Sequence, residues 1–171
     1  MNHARKYALT RSLYTNSRGF AFVLFEGTLS PYDWRILEVR GRKKDEQCLD
    51  KITAILDRAE PDVLILQDTG PGGTPRAARL VALNNAVEAA AHQRSIPVFK
   101  YSRAEVYSCF AFAGFVNKQV VAELVAKHIP AFERYVPPPR KPWKSEDARM
   151  GIFDAAALAL TFFQKGGDQQ A

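Results

Sequence analysis

Apolar positions fall into two kinds of pattern along the chain. Residues 7–14 alternate weakly and predict a strand. The cluster Thr15-Asn16-Ser17-Arg18-Gly19 reads as a turn. Phe20-Ala21-Phe22-Val23-Leu24-Phe25 is a continuous apolar run of strand length, and residues 34–39 predict a third strand. Trp34 and Ile36 share one of its faces, Arg35, Leu37 and Val39 the other. Short connections between the three predict an antiparallel meander.

The spacing then turns helical. Cys48, Leu49, Ile52, Ile55 and Leu56 predict an amphipathic helix over 45–59, stopped by Pro61. Val63-Leu64-Ile65-Leu66 predicts a buried parallel strand. After the glycines at 70, 72 and 73, Thr74 suits a helix cap and Pro75 a first helical residue, with the helix reaching about residue 92. Residues 96–99 predict a fifth strand, and 103–109 and 117–127 short helices. A proline-rich basic connector spans 130–143. A last helix over 146–163 buries Ile152, Phe153, Ala156, Leu160 and Phe163. The order β-β-β-α-β-α-β-α-α-α predicts an α/β fold, since helix-linked strands favour parallel pairing by right-handed crossover. The sheet is mixed and five-stranded, three antiparallel strands then two parallel, flanked by helices.

Composition adds bounds. The 171 residues predict a single domain over 1–171. Apolar residues at 47% and charged ones at 25% exclude wholesale disorder. No window approaches the roughly 18 apolar residues of a membrane span, and residues 1–13 have no secretory pattern. Cys48 and Cys109 stand alone, so neither a disulfide framework nor a zinc site is expected, and a cytoplasmic setting is. A net charge of +6 permits a polyanionic partner without requiring one.

Candidate chemistry lies in carboxylates. Asp68 stands at the carboxyl end of the fourth strand, where α/β folds place ligands, or opens a turn with Thr69 and Gly70. Glu146, Asp147 and Asp154 belong to the last predicted helix. Asp147 and Asp154 would share a face about 10 Å apart. Gly151 between them opens that face to a metal, a water or backbone. Asp154 sits in the apolar stretch Ile152–Leu158, so it needs a metal or a partner such as Arg149. Glu146 and Asp147 also suit a first helical turn capped by Ser145. The glycine loop lacks a phosphate-loop lysine and fits a plain connection better.

Two basic clusters can meet phosphates or simply face solvent: Arg40-Gly41-Arg42-Lys43-Lys44, and Arg140 and Lys141 with Lys144 around Trp143. Trp143 is placed to stack on a base or to pack on the core. His3, His92 and His128 show no ligand spacing.

The ordered motifs resemble a family. Glu60–Asp68 resembles the fourth strand of RuvC-type Holliday-junction resolvases. Ile96–Val106 is similar to their fifth strand and next helix, and Asn117-Lys118-Gln119-Val120-Val121 to the lysine-bearing start of the helix after it. Phe153-Asp154-Ala155-Ala156-Ala157-Leu158-Ala159-Leu160 resembles their C-terminal helix. Glu146-Asp147-Ala148-Arg149-Met150 matches a pattern of a divergent bacterial branch. The resemblance implies a ribonuclease H-like fold, Mg²⁺ or Mn²⁺, and cleavage of branched DNA, commonly by a homodimer. Duplex DNA is a further expected partner. Such a site uses an Asp on the first strand, a Glu ending the fourth, and acids on the last helix. Here those positions hold Tyr14, Gln67, Gly151 and Asp154. The expectation is therefore that Asp68, Asp147 and Asp154 hold one metal in altered geometry with Glu146 beside them, or that the site is dead. Arg18, Arg42, Lys43, Lys44, Lys118, Arg140, Lys141 and Lys144 are the expected nucleic-acid contacts. The rival expectation is an inactive scaffold on the same fold.

Overall fold

The alternation in the first strand sorts the molecule into two layers around a sheet. In the computed structural model, which describes residues 7–167, β1 (Leu9–Asn16), β2 (Gly19–Glu26) and β3 (Pro31–Glu38) form the antiparallel meander. The strands β4 (Val63–Gln67) and β5 (Val98–Tyr101) extend it in parallel, giving the order β3-β2-β1-β4-β5. Leu13, Phe20, Phe22, Leu64 and Leu66 point to one side, where α1 (Lys44–Ala59) brings Cys48, Ile52 and Leu56 and α2 (Ala78–Gln93) brings Leu83, Val87 and Ala91. Tyr14, Val23, Phe25, Val63 and Ile65 point to the other. There α3 (Arg103–Cys109), α4 (Lys118–His128) and α5 (Met150–Gln164) cover them.

Small residues let α5 lie close on the sheet. Ala155, Ala156 and Ala159 are fully buried, and a Cβ at Gly151 would stand 3.0 Å from the Ala21 side chain of β2. The neighbour that needs the glycine is therefore the sheet itself. Gly19 is stricter still: a Cβ there would meet the Leu37 carbonyl at 2.0 Å, so only glycine can start β2.

Several element ends differ from the sequence expectation. The first turn is tighter than 15–19, because Asn16 Oδ1 accepts the N–H groups of Arg18 and Gly19 and leaves Thr15 and Asn16 paired in β1. α2 begins at Ala78 instead of Pro75. Thr74 does not cap it; its Oγ1 accepts the Arg103 N–H at 2.7 Å, tying the glycine loop to the start of α3. The fifth strand lies two residues later than 96–99. Residues Pro130–Tyr135 form a 3₁₀ turn that buries Phe132 against Trp34, ring centroids 5.2 Å apart. α5 begins at Met150, so Glu146 and Asp147 precede it and Ser145 does not cap it. Asp147 instead closes a turn by accepting the Arg149 N–H at 2.9 Å.

Candidate functional site

The carboxyl ends of β1 and β4 and the starts of α3 and α4 meet at one end of the sheet. Asn117 caps α4 by accepting the Val120 N–H at 2.9 Å, which places Lys118 as its first residue. Ser102 and Glu105 form a reciprocal capping box that starts α3 and sets Arg103 and Tyr107 on one face. With Tyr14, Gln67, Lys118 and Asp154, Arg103 and Tyr107 line a small cavity of about 30 Å³, room for about one or two waters.

Two cations organise this place. Lys118 Nζ donates to Glu146 at 2.9 Å and to Asp154 at 3.3 Å, and lies 5.5 Å from the Tyr14 ring. Burial opposes the Lys118 charge, but Asp154, Tyr14 and Glu146 outweigh it and hold its pKa above the usual lysine range. The Arg76 guanidinium donates to the Gln67 side chain and, at 2.8 Å, to the Thr15 carbonyl, and sits 5.0 Å from the Tyr14 ring. Burial pushes the Asp154 carboxyl up to about 6, Lys118 opposing and Glu146 reinforcing. On the other face of β1, Thr15 Oγ1 donates to Asn84 Oδ1 at 2.8 Å, which steadies the strand end.

The sequence-predicted acids are only partly brought together. Glu146 and Asp154 share Lys118. Asp68 is the turn former: Oδ1 accepts the Gly70 N–H at 3.0 Å, and the side chain packs where a Cβ of Gly73 would stand. Gln67 points into the cavity, so strand alternation turns Asp68 away from it. Asp147 is paired with Arg149 at 2.7 Å, which holds its carboxyl below the usual range; Arg149 is thus not the partner of Asp154. Among the described residues no three His, Cys, Asp or Glu side chains are grouped to hold a metal ion. The expected common site of Asp68, Asp147 and Asp154 for Mg²⁺ or Mn²⁺ is therefore not formed. The residues present do not fit such a group, because Tyr14, Gln67 and Gly151 supply no carboxylate and two cations already lie against the acids and polar groups that remain.

Arg76, Arg103 and Tyr107 escaped the sequence reading. The available signal is indirect: an acid as buried as Asp154 needs a counter-charge, and Lys118, expected to meet phosphate, is that counter-charge. Its charge is taken up by two carboxylates instead.

Some of the other cations lie near this end. Arg18 lies in the β1–β2 turn, and Lys44 Nζ donates to the Ser17 carbonyl at 2.9 Å, so Arg40–Lys44 adjoins that turn. Arg18 also lines a depression with Ser145, Glu146 and Asp147. Arg42, Lys43, Arg140, Lys141 and Lys144 are exposed. Trp143 is 77% exposed, with Lys141 Nζ 5.6 Å from its ring, so it does not pack on the core.

No family model matches the sequence, and no curated protein does. Solved structures do. RuvC of Thermus thermophilus in complex with a Holliday junction substrate has a TM-score of 0.66 at 16% identity, over 94% of this chain and 97% of that one. A further Thermus thermophilus RuvC structure gives 0.64 at 19% identity, over 94% and 97%. The yeast mitochondrial Holliday junction resolvase Ydc2 gives 0.57 at 11% identity, over 98% and 83%. No helix among the described residues is long and apolar enough to cross a membrane. The strand order, the helices on both faces and these neighbours together give the chain a RuvC-like, ribonuclease H-like fold over nearly its whole length.

Proposed function

We propose that this protein binds branched or duplex DNA through the basic rim at the carboxyl end of β1 and β4, and does so without metal-assisted hydrolysis. The observation that carries the reading is the pairing of Lys118 with Asp154 and Glu146, alongside Arg76 on Gln67 and the Thr15 carbonyl. Phosphodiester cleavage by metal ions needs converging carboxylates to hold them. Here protein cations stand beside the acids instead. The rim of Arg18, Arg42, Lys43, Arg140, Lys141 and Lys144, with the half-buried Lys44 beside it, keeps an exposed positive surface suited to phosphates. Trp143 supplies an exposed aromatic face for an unstacked base.

Labelled four-way junctions and duplexes, with Mg²⁺ or Mn²⁺ present, test this. The expected result is salt-sensitive binding with uncut DNA. Robust cleavage that is abolished in Asp154→Asn overturns the non-hydrolytic reading.

A scaffold that has given up DNA has its own support. Phe112 and Phe115, between α3 and α4, are 73% and 80% exposed, as a protein-contact surface would be. Absence of measurable DNA affinity at low salt favours this reading over the first.

A further inference from the structure

A cavity of 610 Å³ lies on the other face of the sheet, between β1–β3 and the C-terminal half of α1. Leu9, Glu26, Tyr32 and Ala59 mark it as the end of the sheet away from the basic rim. Its volume falls in the range of small-molecule sites. Phe22, Leu24, Leu37 and Ile55 give it apolar walls.

Arg11 is out of keeping with those walls. It is 1% exposed, yet it lines the cavity, with its guanidinium 4.4 Å from the centre of the Phe22 ring. Its Nε and Nη1 have no hydrogen-bond partner among the described residues. Taking a guanidinium out of water without a partner is among the costlier things a fold can do. Burial draws its pKa down to about 10, with Asp33 pulling it back and Arg58 pushing it further, so it is still charged at neutral pH. Asp33 does not close the balance, since it lies 3.9 Å from Arg35. Around the cavity Arg11, Arg35, Lys51 and Arg58 stand against Glu26 and Asp33.

We propose that this cavity binds a small organic anion, a carboxylate or phosphate monoester on an apolar body, with Arg11 as the partner of the charge. Phe22 covers one face of the guanidinium and leaves its edge donors for the anion. The apolar walls take the body of the ligand. Because the cavity lies at the opposite end of the sheet from the basic rim, the ligand does not compete with DNA.

The test uses the full chain with octanoate, octyl phosphate, octanol and inorganic phosphate, each below micellar concentration, read by calorimetry and thermal shift. At least one octyl anion is expected to raise Tm and to bind about tenfold or more tighter than octanol and than inorganic phosphate. The tighter of the two anions identifies the head group. Arg11→Met should fold with an unchanged or raised Tm, because it removes a buried unpaired charge, and should bind the anions no better than octanol. Ala54→Trp, an exposed α1 position at the cavity wall, should block binding without touching Arg11. If neither anion outbinds octanol, or if Arg11→Met and Ala54→Trp both keep wild-type affinity, the site is refuted. Should Arg11→Met fail to fold, Ala54→Trp decides alone.

Discussion

Lys118 on α4 and Asp154 on α5 lie 3.3 Å apart, and the same ammonium reaches Glu146 at 2.9 Å. Their side chains are 28% and 14% exposed, so the pair is shielded from water without being sealed from it. Removing one partner from such a pair costs more than replacing both, since the remaining charge keeps its desolvation penalty.

Lys118→Met is accordingly expected to lower unfolding stability by about 2–4 kcal/mol. The double variant Lys118→Met/Asp154→Leu should recover most of that loss. Urea denaturation of the wild type, both single variants and the double variant gives the coupling directly. A double variant as unstable as the sum of the singles would show that the pair is not coupled.

The pH dependence follows from Asp154. Its carboxyl is raised by burial from an ordinary 3.8 to about 6, so between those values the folded state holds a proton that the unfolded chain has released. Folded protein then binds more protons than unfolded, and stability from this group falls as pH rises through that window. The size across that window is about 3 kcal/mol, at about 1.4 kcal/mol for each pH unit between the two values. Tm measured across that range should fall more steeply with pH for the wild type than for Asp154→Asn. Parallel profiles would contradict the assignment.

Metal binding should be possible to introduce at this site. Tyr14→Asp with Gln67→Glu and Arg76→Ser places two new carboxylates near Asp154 and removes one cation. Mn²⁺ is expected to raise the Tm of this variant by several degrees, and to leave the wild type unmoved. The same shift in the wild type would mean that Lys118 and Arg76 yield to a metal, against the reading above. Gly151 is left alone in this design, because its Cβ would press on Ala21.

The basic rim predicts a salt effect. Replacing Arg140, Lys141 and Lys144 by serine should weaken binding to all duplex sequences alike. It should reduce the slope of log affinity against log salt by about 2–3, at roughly 0.9 per lost phosphate contact on duplex DNA. Titration between about 50 and 200 mM salt reads this out. An unchanged slope would place the DNA elsewhere on the surface.

Much of the fold was legible before the structure. Phe20–Phe25 and Val63–Leu66 are apolar runs of strand length and both are buried strands, and Cys48, Ile52 and Leu56 repeat at helical spacing. α3 spans the expected 103–109, and the structure shows its start fixed locally, by the capping box of Ser102 and Glu105. Element starts decided by distant contacts were not. Thr74 looks like a cap until its hydroxyl is taken by the Arg103 N–H, 29 residues away. Glu146 and Asp147 look like a first helical turn until Asp147 closes on Arg149.

The candidate site divides the same way. Local spacing and apolar pattern, which act between near neighbours, determined the order of elements along the chain and most of the helices, and the resemblance to the resolvases pointed to the absence of acids at Tyr14, Gln67 and Gly151. Which charge meets which was settled only by tertiary packing. Lys118 and Asp154 are 36 residues apart, and Arg76 and Thr15 are 61 apart. Those pairs exist because α4, α5 and the loop before α2 converge on the ends of β1 and β4. Coulomb attraction and desolvation depend on distance and burial in space, and neither is written in the order of the residues.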